Sequence, residues 1–231
     1  MATRILNKID RYANIDLVVP ITAAAHPAPR WNLLDRFLVT AEARDLPALI
    51  CISKIDLARD RSGNLNTQIR QMIDEFRQIG YSVLLTSSET GEGIDALRQA
   101  VRGKLAVFLG KSGVGKTSLL NALQPGLGQR VGEISQATGK GRHTTTSAGI
   151  FPLQSGGAIL DTPGNRAFGL GDLESDEIIY GFPEMRPFIG RCRFSDCQHD
   201  EEPGCAIRKA VVAGAISPRR YKNFMRMKYG D

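Results

Sequence analysis

An α/β fold is what the sequence predicts: a mostly parallel sheet with helices on both faces, followed by a small α-helical unit built around a metal site. Three observations carry this. Short apolar runs alternate with segments whose apolar residues recur at helical spacing. One run, Leu105–Leu109, breaks into the glycine-rich stretch Gly110-Lys111-Ser112-Gly113-Val114-Gly115-Lys116-Thr117-Ser118. Three of the four cysteines gather with a histidine near the C-terminus.

Composition sets the bounds. A chain of 231 residues suffices for one sizeable core and a small appended unit. Hydrophobic content of 42% and charged content of 23% are those of a water-soluble globular protein. No apolar run approaches the roughly 20 residues that a membrane helix requires, and no signal-type core follows Met1-Ala2-Thr3-Arg4. A cytoplasmic monomer with no membrane partner is expected. Net charge is +6, which suits an anionic partner and equally a solvated basic surface. Arg208, Lys209, Arg219, Arg220, Lys222, Arg226 and Lys228 crowd the C-terminal stretch, and a basic tail of this kind suits RNA phosphates.

Residues 1–14 are polar and aperiodic and read as a lead-in segment; 15–175 read as the α/β domain and 176–231 as the metal-binding unit. Ile15–Val19 is a β-type run closed by Pro20, and Trp31–Arg44 carries Leu33, Leu34, Phe37, Leu38 and Ala41 at helical spacing. The linker between them contains His26, Pro27 and Pro29, and His26 reads as a solvated loop residue. A second strand, Ala48–Ile52, runs into Ser53-Lys54-Ile55-Asp56, nearly the Asn-Lys-x-Asp guanine-reading motif, placed where α/β sheets bind ligands. The Asp56 carboxylate accepts two hydrogen bonds from guanine N1–H and the exocyclic amine, a donor pair that adenine lacks. Lys54 would lay its stem along the base. Ser53 stands where Asn is usual, so part of the bracing and some affinity are expected to be lost.

Asn66–Ile79 reads as an amphipathic helix and Tyr81–Leu85 as a third strand, followed by the small-residue loop Thr86-Ser87-Ser88 and a helix over Ile94–Val101. Ser87 and Ser88 stand where guanine-binding proteins present backbone N–H groups to O6. The phosphate loop follows only now. Gly110, Gly113 and Gly115 let the backbone bend around an anion, Lys116 reaches the β and γ phosphates, and Thr117 offers its hydroxyl to Mg²⁺ at the start of a helix over Thr117–Leu123. Base readers that precede the phosphate loop reverse the common order, which is the order of a circularly permuted GTPase domain.

Gln124–Lys140 has the composition of a switch loop. In Gly141-Arg142-His143-Thr144-Thr145-Thr146, Thr145 or Thr146 is the candidate Mg²⁺ ligand, ahead of Thr144, and His143 the candidate for orienting the attacking water. A hairpin over Ala148–Leu153 and Ala158–Leu160 leads into Asp161-Thr162-Pro163-Gly164, where Asp161 holds Mg²⁺ through a water and the Gly164 N–H senses the γ phosphate. Asn165 replaces the water-orienting Gln of many GTPases.

The phosphate loop at 110–118, Gly-Arg-His-Thr-Thr-Thr at 141–146, Asp-Thr-Pro-Gly at 161–164 and the permuted order resemble the RsgA (YjeQ) family of small-ribosomal-subunit-dependent GTPases. The resemblance extends from about residue 1 to the C-terminus. It implies GTP hydrolysis to GDP stimulated by the small subunit, contact with its rRNA, and a role in the subunit's late maturation. The OB-fold barrel with which members ordinarily begin has no counterpart here, which leaves RNA contact to the C-terminal unit. A nucleotide-gated binding module with little hydrolysis is the alternative, and an ATPase is disfavoured by Asp56.

Cys192, Cys197, His199 and Cys205 form C-x₄-C-x-H-x₅-C, three thiolates and an imidazole that close a tetrahedral structural Zn²⁺ site with no open position for a catalytic water. Cys51, inside a strand, reads as a small buried hydrophobe. Ala206–Ala213 and Pro218–Lys228 read as two helices with too few apolar residues to fold alone, so zinc is expected to act as the staple.

Overall fold

The computed structural model describes residues 15–128, 149–161 and 173–230. Strands β1 (Leu17–Ala23), β2 (Leu49–Ser53), β3 (Ser82–Leu85), β4 (Leu105–Leu109), β5 (Gly149–Pro152) and β6 (Ala158–Asp161) form a sheet in the order β3-β2-β1-β4-β6-β5. The ladders are parallel except for the antiparallel β5–β6 hairpin. Helices α1 (Trp31–Glu42) and α2 (Thr67–Ile79) cover one face; α3 (Ile94–Val101) and α4 (Lys116–Leu123) cover the other.

Two covered faces explain why the central strands read as continuous apolar runs. Leu17, Val19 and Ile21 point toward α3 and α4, where Leu97, Leu119 and Leu120 pack. Val18 points the other way, against Phe37 and Ala41 of α1. Asn66 caps α2 by accepting from the Gln68 N–H, and Gly80 ends it in the left-handed region, so local chemistry set these ends.

Pro20 does not close β1. The pairing of β1 with β4 runs from Leu17 to Pro20 and its register with β2 from Ile21 to Ala23. On the β2 side Val18 already bridges Ala48, so proline falls at a gap within that ladder, where its missing N–H forgoes one hydrogen bond without ending the strand.

The C-terminal unit comprises two 3₁₀ turns, Ile178–Gly181 and Arg186–Phe188, then α5 (Ala206–Val212) and α6 (Pro218–Tyr229). It has more core than its helices suggested. Ile178, Ile179, Phe182 and Met185 join Ile207, Ala210, Ile216 and Phe224 in one cluster that also takes in Val39 of α1. Helix α1 is therefore buried on both sides, against the sheet and against the C-terminal unit. No helix among the described residues is long and apolar enough to cross a membrane.

The predicted basic tail must be corrected in part. Arg219 and Arg220 do not face outward. Both bind Asp35 of α1, at 2.6 and 2.8 Å, and Arg219 also reaches Glu75 of α2 while Arg220 reaches Glu184, each at 2.6 Å. Asp35 and Arg220 are fully buried. A buried guanidinium persists only when its charge is matched, and here two carboxylates match it. Arg208, Lys209, Lys222 and Arg226 remain exposed.

Candidate functional site

Three loops at the C-terminal ends of neighbouring parallel strands meet at one edge of the sheet, the place where α/β folds collect ligands. The first follows β4. Gly110 approaches β1 so closely that a Cβ there would lie 2.6 Å from the Ile21 carbonyl oxygen, which requires glycine. Gly115 has a φ of +90° and its would-be Cβ faces the Lys54 stem at 3.7 Å. The turn opens into α4, whose N-terminal amides add positive potential where an anion would sit. Lys116 donates to the carbonyls of Gly110 and Lys111 at 2.5 and 2.9 Å, so its ammonium lies folded over the loop it serves. Lys111, Ser112, Gly113, Thr117 and Ser118 are exposed on this loop, while Val114 is buried and anchors it.

The second loop follows β2. Buried Ser53, the last strand residue, donates its hydroxyl to the Val114 carbonyl at 2.5 Å. The Thr22 carbonyl lies at 3.3 Å from the same oxygen; a hydroxyl has one proton, and the shorter contact takes it. Lys54, in the left-handed conformation with a φ of 55°, donates to the Gly113 carbonyl at 2.7 Å and to the His26 carbonyl. Asp56 lies half-buried in the first turn of the 3₁₀ helix Ile55–Ala58.

The third loop follows β3 and is locked to the second. The Thr86 N–H donates to the Ile52 carbonyl at 2.8 Å and the Ile55 N–H to the Thr86 carbonyl at 3.1 Å. Ser87 is fully buried, and its hydroxyl accepts from the N–H groups of Glu89 and Thr90 at 3.2 Å, an ST turn that holds exposed Ser88 in place. Ser53, Lys54, Asp56, Ser87, Ser88 and the 110–118 loop are therefore brought together. His143, Thr144, Thr145, Thr146, Gly164 and Asn165 lie outside the described residues, and of Asp161 only the backbone, at the end of β6, is described.

His26 and Pro27, in the linker after β1, are the part of this site that sequence reasoning missed. His26 is indeed exposed, but its carbonyl receives Lys54 and the next residue, Pro27, lies beside Gly113. Backbone acceptors leave no signature in sequence.

The second constellation lies in the C-terminal unit. The candidate ligand atoms of Cys192, Cys197, His199 and Cys205 all fall within 4.8 Å of one another. The His199 Nδ1 is 3.4 Å from the Cys192 sulfur and 3.6 Å from the Cys205 sulfur, and those two sulfurs are 4.0 Å apart. Tetrahedral zinc, with bonds of about 2.3 Å to sulfur and about 2.0 Å to nitrogen, places ligand atoms roughly 3.5–3.8 Å apart. The set fits that ion in donor chemistry and in spacing.

Its surroundings supply hydrogen bonds to two of the sulfurs and disfavour the imidazolium. Cys205 is the N-cap of α5, and its sulfur accepts from the Arg208 N–H at 3.5 Å, while the Cys192 sulfur accepts from the Ala206 N–H at 3.3 Å. Burial, then the Lys228 charge, holds the His199 pKa below its usual value. Supporting residues that the spacing did not reveal fix the ligand loop: Glu202 accepts from the Gln198 and Asp200 N–H groups at 2.7 and 2.9 Å, Tyr221 donates to the His199 carbonyl at 2.7 Å, and Lys228 to that of Gln198 at 2.8 Å. Cys51 stands apart in the core, its thiol pushed up to about 12 by burial, as an inert residue.

Comparison with known proteins agrees with this geometry. A family model described as "RsgA GTPase" matches residues 4–171. A Gemmatimonas aurantiaca protein named "Small ribosomal subunit biogenesis GTPase RsgA" is 46% identical over 216 residues, 94% of this chain and 68% of its own length. The Pseudomonas putida protein of that name is 44% identical over 212 residues, 92% of this chain, and this chain spans only 61% of its length. Among solved structures, YjeQ from Thermotoga maritima is similar with a TM-score of 0.77 and 34% identity, covering 94% of this chain and 71% of that one. YloQ, described as a circularly permuted GTPase, gives 0.72 and 32%, covering 94% and 68%. With the Ser53–Asp56 and Thr86–Ser88 loops ahead of the glycine-rich loop, a similar fold in YjeQ and YloQ and a model match over most of its length, the chain belongs to the RsgA/YjeQ family of circularly permuted GTPases.

Proposed function

We propose that the chain hydrolyses GTP to GDP and phosphate, is stimulated by the small ribosomal subunit and its rRNA, and acts in late maturation of that subunit. One observation carries the reading: the Ser53–Asp56 and Thr86–Ser88 loops are bonded to each other and to the phosphate loop through Ser53, Lys54 and Val114. A guanine held by Asp56 thereby has its phosphates delivered to Gly110–Ser118. The P. putida and G. aurantiaca proteins bear names for this activity, which supports the same reading here.

In this reading 15–175 form the GTPase domain and 176–231 the zinc unit, and the protein works as a cytoplasmic monomer. Asp56 selects guanine, Lys54 covers the base, and backbone around Ser87 and Ser88 faces O6. Lys116 exchanges its two loop carbonyls for the phosphate oxygens. Thr117, Asp161 and Thr145 or Thr146 are assigned to Mg²⁺, which supplies further neutralisation of the phosphate charge when bound. Gly164 senses the γ phosphate and His143 orients water for in-line attack. Cys192, Cys197, His199 and Cys205 hold a structural Zn²⁺.

GTP turnover measured with and without small subunits tests this. Slow intrinsic hydrolysis with marked stimulation is expected, and His143→Ala should abolish the stimulated part; wild-type stimulation in that variant would remove His143 from the mechanism. Ser53 in place of Asn favours one second reading, a nucleotide-gated binding module. It predicts GTP binding with no stimulation.

A further inference from the structure

Arg30, Arg36 and Arg226 come from opposite ends of the chain yet line one open groove of about 680 Å³, between the start of α1 and the C-terminal half of α6. No carboxylate lines it. All three arginines are exposed, and none of their guanidinium groups has an ion-pair or hydrogen-bond partner among the described residues. Arg219 and Arg220 on the same helix are, by contrast, fully engaged. Three like charges along one groove without a carboxylate make it a positive surface that favours an anion.

Two further features describe that anion. Arg30 provides no side-chain cap to α1 and the first turn contains no acid, so the positive end of the helix also faces outward there. The walls are fixed in advance: Asn223, which lines the groove, donates to Asp35 of α1 and ties α6 to it. The lining includes apolar Leu33 and Met227 but no aromatic residue, hence no platform on which bases could stack. A concave cleft admits a single strand more readily than the convex rod of a duplex, and guanidinium groups pair with phosphate bidentately.

We propose that this groove binds the sugar–phosphate backbone of a single-stranded RNA segment, without regard to its sequence. The proposal rests on the ribosomal reading above for its choice of RNA. Arg30 also lines a small cavity shared with Lys111 and Val114, so the bound strand would lie one loop away from the phosphate cradle.

Anisotropy titration of a labelled short oligouridylate onto the full chain, at several salt concentrations, tests it. The triple variant Arg30→Gln/Arg36→Gln/Arg226→Gln should bind on the order of 30-fold more weakly, with the slope of log K against log salt reduced by about 2, since each single-strand phosphate contact contributes about 0.7. Lys209→Gln, an exposed charge on α5 outside the groove, should change binding less than about twofold. Binding of a fluorescent GDP analogue, unchanged in every variant, reports that the fold is intact. Wild-type affinity in the triple variant, equal competition by an RNA duplex or by polyglutamate, or no RNA binding by the wild-type chain would each overturn the proposal. Absent subunit-stimulated GTP turnover with RNA binding retained would instead sink the proposed function and leave the groove standing.

Discussion

The Ser53 hydroxyl donates to the Val114 carbonyl at 2.5 Å, joining the loop after β2 to the glycine-rich loop by one side chain. Asparagine, usual at this position, has a longer reach and a second polar atom; serine retains the brace toward the phosphate loop. Ser53→Ala removes that hydrogen bond, at about 0.5–1.5 kcal/mol. Fluorescent-GDP titration should show affinity about 2- to 12-fold weaker. Unchanged affinity would mean that the contact does no bracing.

Asp56 is held at its place by the short turn after Lys54. Asp56→Ala should weaken GDP binding on the order of 100-fold or more, because the guanine donors lose both acceptors, and should leave the weak binding of ATP nearly unchanged. Competition of GDP and ATP against a labelled nucleotide measures this. A variant that still prefers guanine would move base selection elsewhere.

Asp35 neutralises two arginines at once. Its two oxygens lie 2.6 Å from Arg219 and 2.8 Å from Arg220. Burial by itself would lower the Arg220 pKa, but Asp35 and Glu184 more than offset it and raise the pKa above its usual value. Asp35→Ala removes the charge and leaves a buried guanidinium short of a partner, a change that costs about 3–5 kcal/mol. Urea unfolding checks the magnitude. A loss under about 1 kcal/mol would mean that the junction relaxes freely.

Zinc should be releasable without loss of the nucleotide site. One equivalent per chain is expected by metal analysis, and chelation or Cys205→Ser should lower the thermal midpoint by several degrees, on the scale of about 2–4 °C for each kcal/mol lost in a chain of this size. Nucleotide affinity should persist, because the Val39–Phe182–Phe224 cluster holds the C-terminal unit to α1 without using the metal alone. Concerted loss of nucleotide binding and zinc would show that the two units fold as one.

How much of this was legible before folding depended on how local each signal was. The phosphate loop, Asp56 and the Cys192–Cys205 cluster are short patterns whose chemistry is carried by residue type and spacing, so they could be read directly. The segment with the 3₁₀ turns at Ile178–Gly181 and Arg186–Phe188 could not, having no period, and with it went Ile178, Ile179, Phe182 and Met185 of the C-terminal core. Pro20 misled for a related reason: a gap in one ladder does not end a strand that is also paired on its other side, and that is a property of the sheet.

By itself, then, the sequence determined the alternation of strands and helices, the permuted order of the loops and the Cys/His cluster, all of which rest on near neighbours in the chain or on fixed residue chemistry. Only the tertiary structure decided what the charges do. Arg219, Arg220 and Arg226 look alike in the chain, yet two are paired with Asp35, Glu75 and Glu184, Arg220 of them fully buried, and the third joins Arg30 and Arg36 in an open groove. The Coulomb energy of a side chain depends on distance and burial, and both are set by which elements pack together, which no stretch of sequence displays.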